Sequence, residues 1–310
     1  MTEFIAFDIG GTSIKYGIVN SDGQISEKGA FETPKPRADI LAGMVKVVER
    51  FRQHHTVTGI GISAPGIVRR DGYMVTGGAL RELYDFPLAK TLADQTGLPV
   101  KVENDANAAA IAERWLGNAQ GIDNYICIVL GTGIGGGIVI NGQVYRGAHG
   151  MAGEFGWNVT QEPDLTQDLE FSSLNKNAAV VDGLTRRYNA SAKLVFPDDA
   201  KVTDARQILQ LAEDKDPIAE PIVDDFYSHL AVMLINLFAN FDPEVILIGG
   251  GISANDRFME NLQDKLSEYI TRHQSLNFIR DKALGTIKAA GLRNDAGLIG
   301  AVYPLVRAVK

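Results

Sequence analysis

The sequence predicts an α/β protein built from two similar halves. Each half opens with short β-strands around a glycine loop, Gly10-Gly11-Thr12 in the first and Gly131-Thr132-Gly133 in the second. Each then alternates helix-like and strand-like stretches, the pattern of layered α/β domains. The 310 residues also suit two domains of about 150 residues each.

In the first half, residues 4–9 are an apolar run stopped by Gly10-Gly11, residues 13–19 resume it, and Asp22-Gly23 turns the chain into residues 24–33. Strand, tight loop, strand, Asp-Gly turn and strand describe an antiparallel meander. Between Ala38 and His55 the period changes. Ile40, Leu41, Met44, Val47, Val48 and Phe51 recur at three and four, one face of a helix. The His54-His55 pair at its end is expected to be solvated. Residues 58–63 and 98–103 read as strands, the second running into Asn104-Asp105 and an alanine-rich helix from about 106 to 116.

The second half starts with a strand at residues 125–130, a loop over Gly131–Gly137 and a hairpin at 138–145 around Asn141-Gly142. Helical patterns cover about 175–189, 204–213 and 217–241, the last ended by Asp242-Pro243. Residues 244–248 form a strand running into Gly249-Gly250-Gly251. A helix near 255–272, a strand near 285–289 and a helix near 295–309 complete the chain. No low-complexity linker separates the halves, so the boundary near 117 reads as a hinge between packed lobes. The expected lobes are 1–117, with the C-terminal helix (295–310) packed on it, and 118–294.

Composition narrows the function. With 45% apolar and 22% charged residues the chain is a folded globular type. The one cysteine, Cys127, excludes an internal disulfide and a thiolate metal cluster. A net charge of -8 argues against a nucleic-acid surface, which needs clustered Lys and Arg. No apolar run reaches the roughly 20 residues of a membrane span, and MTEFIAFDIGGT lacks a basic leader region. A cytoplasmic protein without membrane or nucleic-acid partners is expected.

The three glycine loops let backbone N–H groups approach a phosphate without a Cβ in the way. Thr12 and Thr132 add hydroxyls, Lys15 adds a cation, and Asp8 suits a Mg²⁺ held mostly through water. The plainer alternative is that each loop is only a tight turn. Gly131, Gly133 and Gly136 also fit G-x-G-x-x-G, but that fingerprint should open a helix, and here a strand follows. Asn104-Asp105, where a strand gives way to a helix, can be an N-cap. Asp105 can equally be a general base that takes a proton from an attacking hydroxyl. Glu154, in a glycine-flanked loop, can accept bonds from vicinal hydroxyls or be a solvated acid.

The first loop, the ENDANAAA segment, Gly131–Gly137, the run Arg146-Gly147-Ala148-His149 through Gly156, and Asp242-Pro243-Glu244-Val245-Ile246 with its three glycines together resemble the ROK family of sugar kinases and repressors. The resemblance covers essentially the whole chain. It implies the two-lobed, actin-like (ribonuclease-H-like) ATPase fold, with ATP and sugar meeting in an interlobe cleft, and a homodimer. By similarity, Gly10, Gly11, Thr12 and Lys15 with Gly131, Thr132 and Gly133 cradle the phosphates, and Gly249, Gly250 and Gly251 lie against the adenosine. Gly66, Asn104, Asp105 and Glu154 hold the sugar, with Asp105 as base.

Two departures qualify the inheritance. Many members carry a cysteine-rich zinc motif preceded by a histidine three residues past the sugar-binding glutamate. Here Trp157 takes that position and residues 158–172 hold no cysteine, so zinc is not expected. Glu170 is the candidate for the second sugar glutamate. Trp157 either packs on a substrate ring or aglycone or fills the space of the missing zinc loop. The expected activity is ATP- and Mg²⁺-dependent transfer of the γ-phosphate to a hydroxyl, O6 of a hexose, an N-acetylhexosamine or a glycoside. The rivals are a sugar-binding regulator, for whose DNA-binding segment the seven residues before Asp8 leave no room, and an actin-like ATPase.

Overall fold

The computed structural model of the protein describes residues 1–198 and 201–309; Lys310, the end of the expected C-terminal helix, lies outside them. The elements run β1 (Glu3–Ile9), β2 (Ser13–Asn20), β3 (Ile25–Glu32), α1 (Arg37–Arg52), β4 (Val57–Ala64), α2 (Leu88–Thr96), β5 (Val100–Asn104) and α3 (Asp105–Leu116). Then come β6 (Tyr125–Leu130), β7 (Ile134–Ile140), β8 (Gln143–Tyr145), α4 (Leu174–Ala178), α5 (Arg186–Val195), α6 (Ala205–Glu213) and α7 (Ala219–Phe241). β9 (Val245–Gly249), α8 (Asp256–Arg272), α9 (Gln274–Ile279), β10 (Thr286–Ala289) and α10 (Ala296–Val309) complete the chain. α2 and α9 are absent from the sequence reading because two turns are too short to display a period. The helix expected over 175–189 is instead α4, a wide turn at Val180–Thr185, and α5.

The chain forms two compact units. The first comprises Met1–Gly121, Gly137–Gly153 and Asn294–Lys310. Its sheet has the order β3-β2-β1-β4-β5, with β1 antiparallel to β2 and parallel to β4, and β4 parallel to β5. Successive side chains of β1 serve opposite layers. Ile5, Phe7 and Ile9 pack with the apolar stripe of α1, while Phe4 and Ala6 pack with Leu298, Val302, Leu305 and Val306 of α10. Burial on both faces explains why β1 reads as an apolar run and not an alternation. Each such large side chain contributes roughly 1.5–3 kcal/mol. α10 lies so close to α3 and β4 that a Cβ on Gly300 would overlap the Ala108 carbonyl, and one on Gly61 the Ala301 carbonyl. The parallel strands β1, β4 and β5 therefore end together at one edge.

Residues 137–153, which the sequence reading places in the second half, group with this unit. Gly137 sits against Ala106 and Ala110 of α3, and Arg146 is ion-paired to Glu103 of β5. His55 also departs from expectation: it is not solvated. Its ring bridges Glu3 Oε2 at 3.0 Å and Glu27 Oε1 at 2.7 Å.

The second unit comprises Ile122–Gly136 and Glu154–Arg293. The second sheet has the order β10-β9-β6-β7-β8, and the chain changes unit in the middle of β7. β9 runs parallel to both β6 and β10. β7 and β8 join through Asn141 (φ 51°) and Gly142 (φ 73°), a pair suited to the two positive φ angles of a type I′ turn. α7 is the core helix, burying Phe226, Leu230, Leu234 and Leu237 among α4, α6 and α8. Its 23 residues are long and apolar enough to cross a membrane by length and composition alone. This corrects the expectation that no apolar run is long enough: Asp224, Asp225 and His229 interrupt the stretch without ending the helix, and most of it is buried in the unit.

Candidate active site

In the first unit, the common edge of β1, β4 and β5 collects the expected residues. Asp8, near the end of β1, accepts a bond from Ser63 Oγ at 2.8 Å, and Lys15 Nζ stands 3.8 Å from its other oxygen. Gly297, in the first turn of α10, lies so close that a Cβ there would be 2.6 Å from Asp8 Oδ1. The Gly10-Gly11-Thr12 loop closes through Gly10 N to Ser13 O. Thr33 braces it, donating its amide to Thr12 O and its hydroxyl to Gly10 O.

Asn104 and Asp105 divide the roles that the sequence left open. Asn104 is the N-cap of α3, its Oδ1 accepting the amides of Ala106 and Asn107 at 3.0 Å each. Its Nδ2 donates to Gly66 O (3.0 Å) and Asp105 Oδ1 (3.1 Å), so its hydrogen-bonding capacity is fully used inside the protein. Gly66, at φ +88°, presses against the backbone of Thr76 and Gly78, where no side chain fits. Asp105 directs Oδ1 to Ala106 N and Asn104 Nδ2, leaving Oδ2 free to accept. Burial, partly offset by the Ala106 amide and reinforced by the negative charge of Asp8, pushes the Asp105 carboxyl up to about 6.

In the second unit, the Gly131–Gly133 loop is held from behind. Val180 and Val181 donate their amides to Gly131 O, Asp182 donates to Thr132 O, and Ile134 N donates to Asn175 Oδ1 at 2.8 Å. Asn175 also packs against Gly133 and against Gly156 of the Glu154 segment, so one side chain ties two expected site loops together. Gly250, at φ +93°, lies on the Leu130 carbonyl at the end of β6. Glu154 is half-buried; Trp157, three residues on, is 49% exposed in a short turn over Phe155–Trp157.

The segment after Trp157 is anchored at its ends. Val159 bridges Ser173, Leu174 N donates to Asn158 O, and Thr160 Oγ1 meets the buried His229 Nδ1 at 2.6 Å. Glu170 is exposed in the turn Leu169–Ser172, and its side chain makes no hydrogen bond among the described residues. Among the described residues no three His, Cys, Asp or Glu side chains are grouped to hold a metal.

Gly11, Gly131 and Gly251, one from each loop, share a property. Their φ angles are ordinary and an added Cβ would meet no protein atom within 4 Å. Among the described residues no packing contact requires glycine there, unlike at Gly66 or Gly250. Backbone kept bare over open space is what close approach of a ligand phosphate or base demands. Ser63, Thr33, Asn175 and Gly297 carry no signal of their own in the sequence because their contacts cross 19 to 289 residues of chain; only Ser63, at the end of a strand beside β1, leaves a usable one.

The model of the ROK family matches residues 4–308. A beta-glucoside kinase of Listeria innocua serovar 6a is 37% identical over 303 residues, 97% of this chain and 96% of that protein. A Listeria monocytogenes protein, Lmo2764, described as a candidate N-acetylmannosamine kinase, superposes with a TM-score of 0.85 at 34% identity over the whole of both chains. A ROK glucokinase from Streptomyces griseus, solved with glucose and AMPPNP, gives 0.80 at 29% identity, covering 99% of each chain.

Proposed function

This chain belongs to the ROK family and has its actin-like ATPase fold, and we propose that it is an ATP-dependent kinase phosphorylating a hydroxyl, O6 of a hexose or glucoside. The observation that carries the reading is Asp105. Among the described residues no hydrogen bond from another residue reaches its Oδ2, and a carboxyl pushed up to about 6 is ionised at neutral pH yet a stronger base than an ordinary aspartate.

The sugar hydroxyl gives its proton to Asp105 Oδ2 as its oxygen forms a bond to the γ-phosphorus. The bond from that phosphorus to the β,γ-bridging oxygen breaks, and ADP leaves with the electron pair. The amides of the Gly10-Gly11-Thr12 and Gly131-Thr132-Gly133 loops, with Lys15, meet the phosphate charge, and Gly249 to Gly251 take the adenosine. Asn104 fixes Asp105 and the Gly66 carbonyl; Glu154 accepts sugar hydroxyls, with Trp157 and Glu170 as candidate contacts.

Asp8 fits a Mg²⁺ ion: among the described residues Ser63 alone hydrogen-bonds its carboxylate, at Oδ1, and Lys15 Nζ stands 3.8 Å from Oδ2. The ion would neutralise phosphate charge when it binds with ATP. A homodimer and a cytoplasmic location belong to the same reading, as does function without zinc.

The test is a coupled assay for ADP with glucose, N-acetylmannosamine, cellobiose and phenyl β-glucoside as acceptors. ADP release that depends on a sugar and yields the sugar phosphate is expected. Release indifferent to every sugar would instead identify an actin-like ATPase.

A further inference from the structure

The first unit contains a cavity of about 730 Å³ that the machinery above does not use. Pockets of roughly 300–1,000 Å³ enclose ligands of drug size, and a single hexose does not need this one. One wall is the hairpin over residues 67–76, in which Arg69 N bonds Tyr73 O and Gly72 N bonds Arg69 O. The other is the segment from Arg146 to Met151. The two walls touch where Gly150 lies on the Val68 carbonyl.

The cavity adjoins the Asn104–Asp105 site through two links. Ile67, on its wall, follows Gly66, whose carbonyl takes the Asn104 amide at 3.0 Å. Arg146, on the opposite wall, is paired with Glu103, the residue before Asn104. The Gly66–Asn104 bond ties one wall of the cavity to the segment that carries Asp105, so a substituent on a sugar held at Asp105 has this space within the same unit.

The lining states what kind of substituent. Ile67, Val75 and Met151 supply apolar surface. Of the arginines, Arg69 is paired with Asp71 at 2.9 Å and Arg146 with Glu103 behind the wall, so among the described residues Arg70 is the lining arginine without an ion pair. An anion site would leave several arginines unpaired. Apolar patches interleaved with planar, hydrogen-bonding ion pairs suit a neutral ring with a C–H face and polar edges.

We propose that this cavity is the aglycone subsite, taking the second sugar ring or aryl group of a β-glycoside whose first ring is phosphorylated at Asp105. The proposal rests on the sugar-kinase reading for its first ring and adds to it the place where the rest of a glycoside is held.

Two substitutions at exposed positions test it: Arg70→Ala, removing the unpaired donor, and Met151→Trp, filling the space. The kcat/KM ratio of cellobiose or phenyl β-glucoside to glucose should fall about tenfold or more in both. Calorimetric binding of cellobiose should weaken likewise, while glucose binding stays as in wild type. An unchanged ratio and unchanged cellobiose binding in both variants would overturn the subsite. So would a selective loss of glycoside on Trp157→Ala with the cavity variants neutral, which would move the aglycone to Trp157. If wild type phosphorylates no sugar, the kinase reading falls. The binding experiment then still decides the subsite, through whether the two variants weaken cellobiose.

Discussion

The two ends of the first unit's sheet treat charge in opposite ways. At the N-terminal end of β1, Glu3 and Glu27 flank His55, and each carboxylate bonds one ring nitrogen. There the charges are complementary, and the carboxylates hold the His55 pKa above its ordinary value against some loss from burial. At the C-terminal end, Asp8 and Asp105 are close enough for one to raise the pKa of the other, and burial raises it further. A charge is favoured at one end and disfavoured at the other. Protein stability explains the first arrangement. The second costs stability, and the reason to keep it is chemistry: a carboxylate held in an unfavourable setting is a better proton acceptor.

Asp105→Asn breaks the comparison most directly. The amide keeps the Oδ1 bonds but cannot take a proton, so kcat should fall by about 10²–10⁴. Stability should move the other way. The Asp105 carboxyl titrates near 6 when folded and near 3.8 when unfolded, so the folded state binds more protons between those values. Wild-type stability is therefore lost as pH rises through that window, by an amount on the order of 2–3 kcal/mol that is complete above pH 6. The variant escapes this penalty. Chemical denaturation should find it more stable than wild type at pH 8, with the gap narrowing toward pH 4. Wild-type kcat/KM should climb with pH through an apparent pKa near 6. A variant that is less stable at pH 8, or one that retains turnover, would return Asp105 to the role of a structural helix residue.

Asn104 sharpens the same contrast. Asn104→Ala leaves the Ala106 and Asn107 amides uncapped and frees Asp105, so stability should drop by about 1–2 kcal/mol. Turnover should drop by roughly 10–100-fold from lost positioning. Asn104→Asp retains the cap but puts a third carboxylate at this edge in place of a donor to Asp105. The acid limb of its pH–rate profile should shift above 6. A purely structural cap predicts no movement of that limb.

Gly297→Ala acts on the other carboxylate. A Cβ 2.6 Å from Asp8 Oδ1 must push it away from Ser63, since the Asp8 Cγ is only 2.7 Å off. About a tenfold loss of kcat/KM is expected for a displacement well under an ångström, together with a raised Mg²⁺ requirement. Melting should change little, because the position is only half-buried. An unchanged Mg²⁺ dependence would detach Asp8 from the ion.

How much of this edge was legible follows from how local each signal is. β1, α1 and α3 are readable because the period of their apolar residues lies within one element. Asp105 is readable because a strand-to-helix junction carrying two Asx residues offers one more polar group than a cap needs. Gly297 is not, because its role depends on α10 returning across 289 positions to touch Asp8. The hairpin at 67–76 is held mainly by backbone bonds and the isolated bridges Val68–Met74 and Met74–Phe86, so its sequence shows no alternation to detect. His55 misled the reading for a related reason. A histidine ending an amphipathic helix looks solvated until Glu3 and Glu27, 52 and 28 residues away, are brought to its ring.

The smallest effect is expected at the end where charge is satisfied. Because the folded pKa of His55 is raised above 6.5, its protonated form contributes stability that is fully present below pH 6.5 and is lost as pH rises through the folded value. Glu27 is 55% exposed, so solvent and salt screen much of the attraction and the contribution should stay below about 1 kcal/mol. His55→Gln should therefore be slightly less stable than wild type at pH 6 and should converge on it toward pH 9, while kcat is unchanged. The ring also lies edge-on to Phe51, with centroids 6.0 Å apart. A stability difference that is the same at both pH values would assign the effect to that packing and not to charge. A change in kcat would mean that the two ends of the sheet are coupled, and the division between a stabilising end and a reactive end would fail.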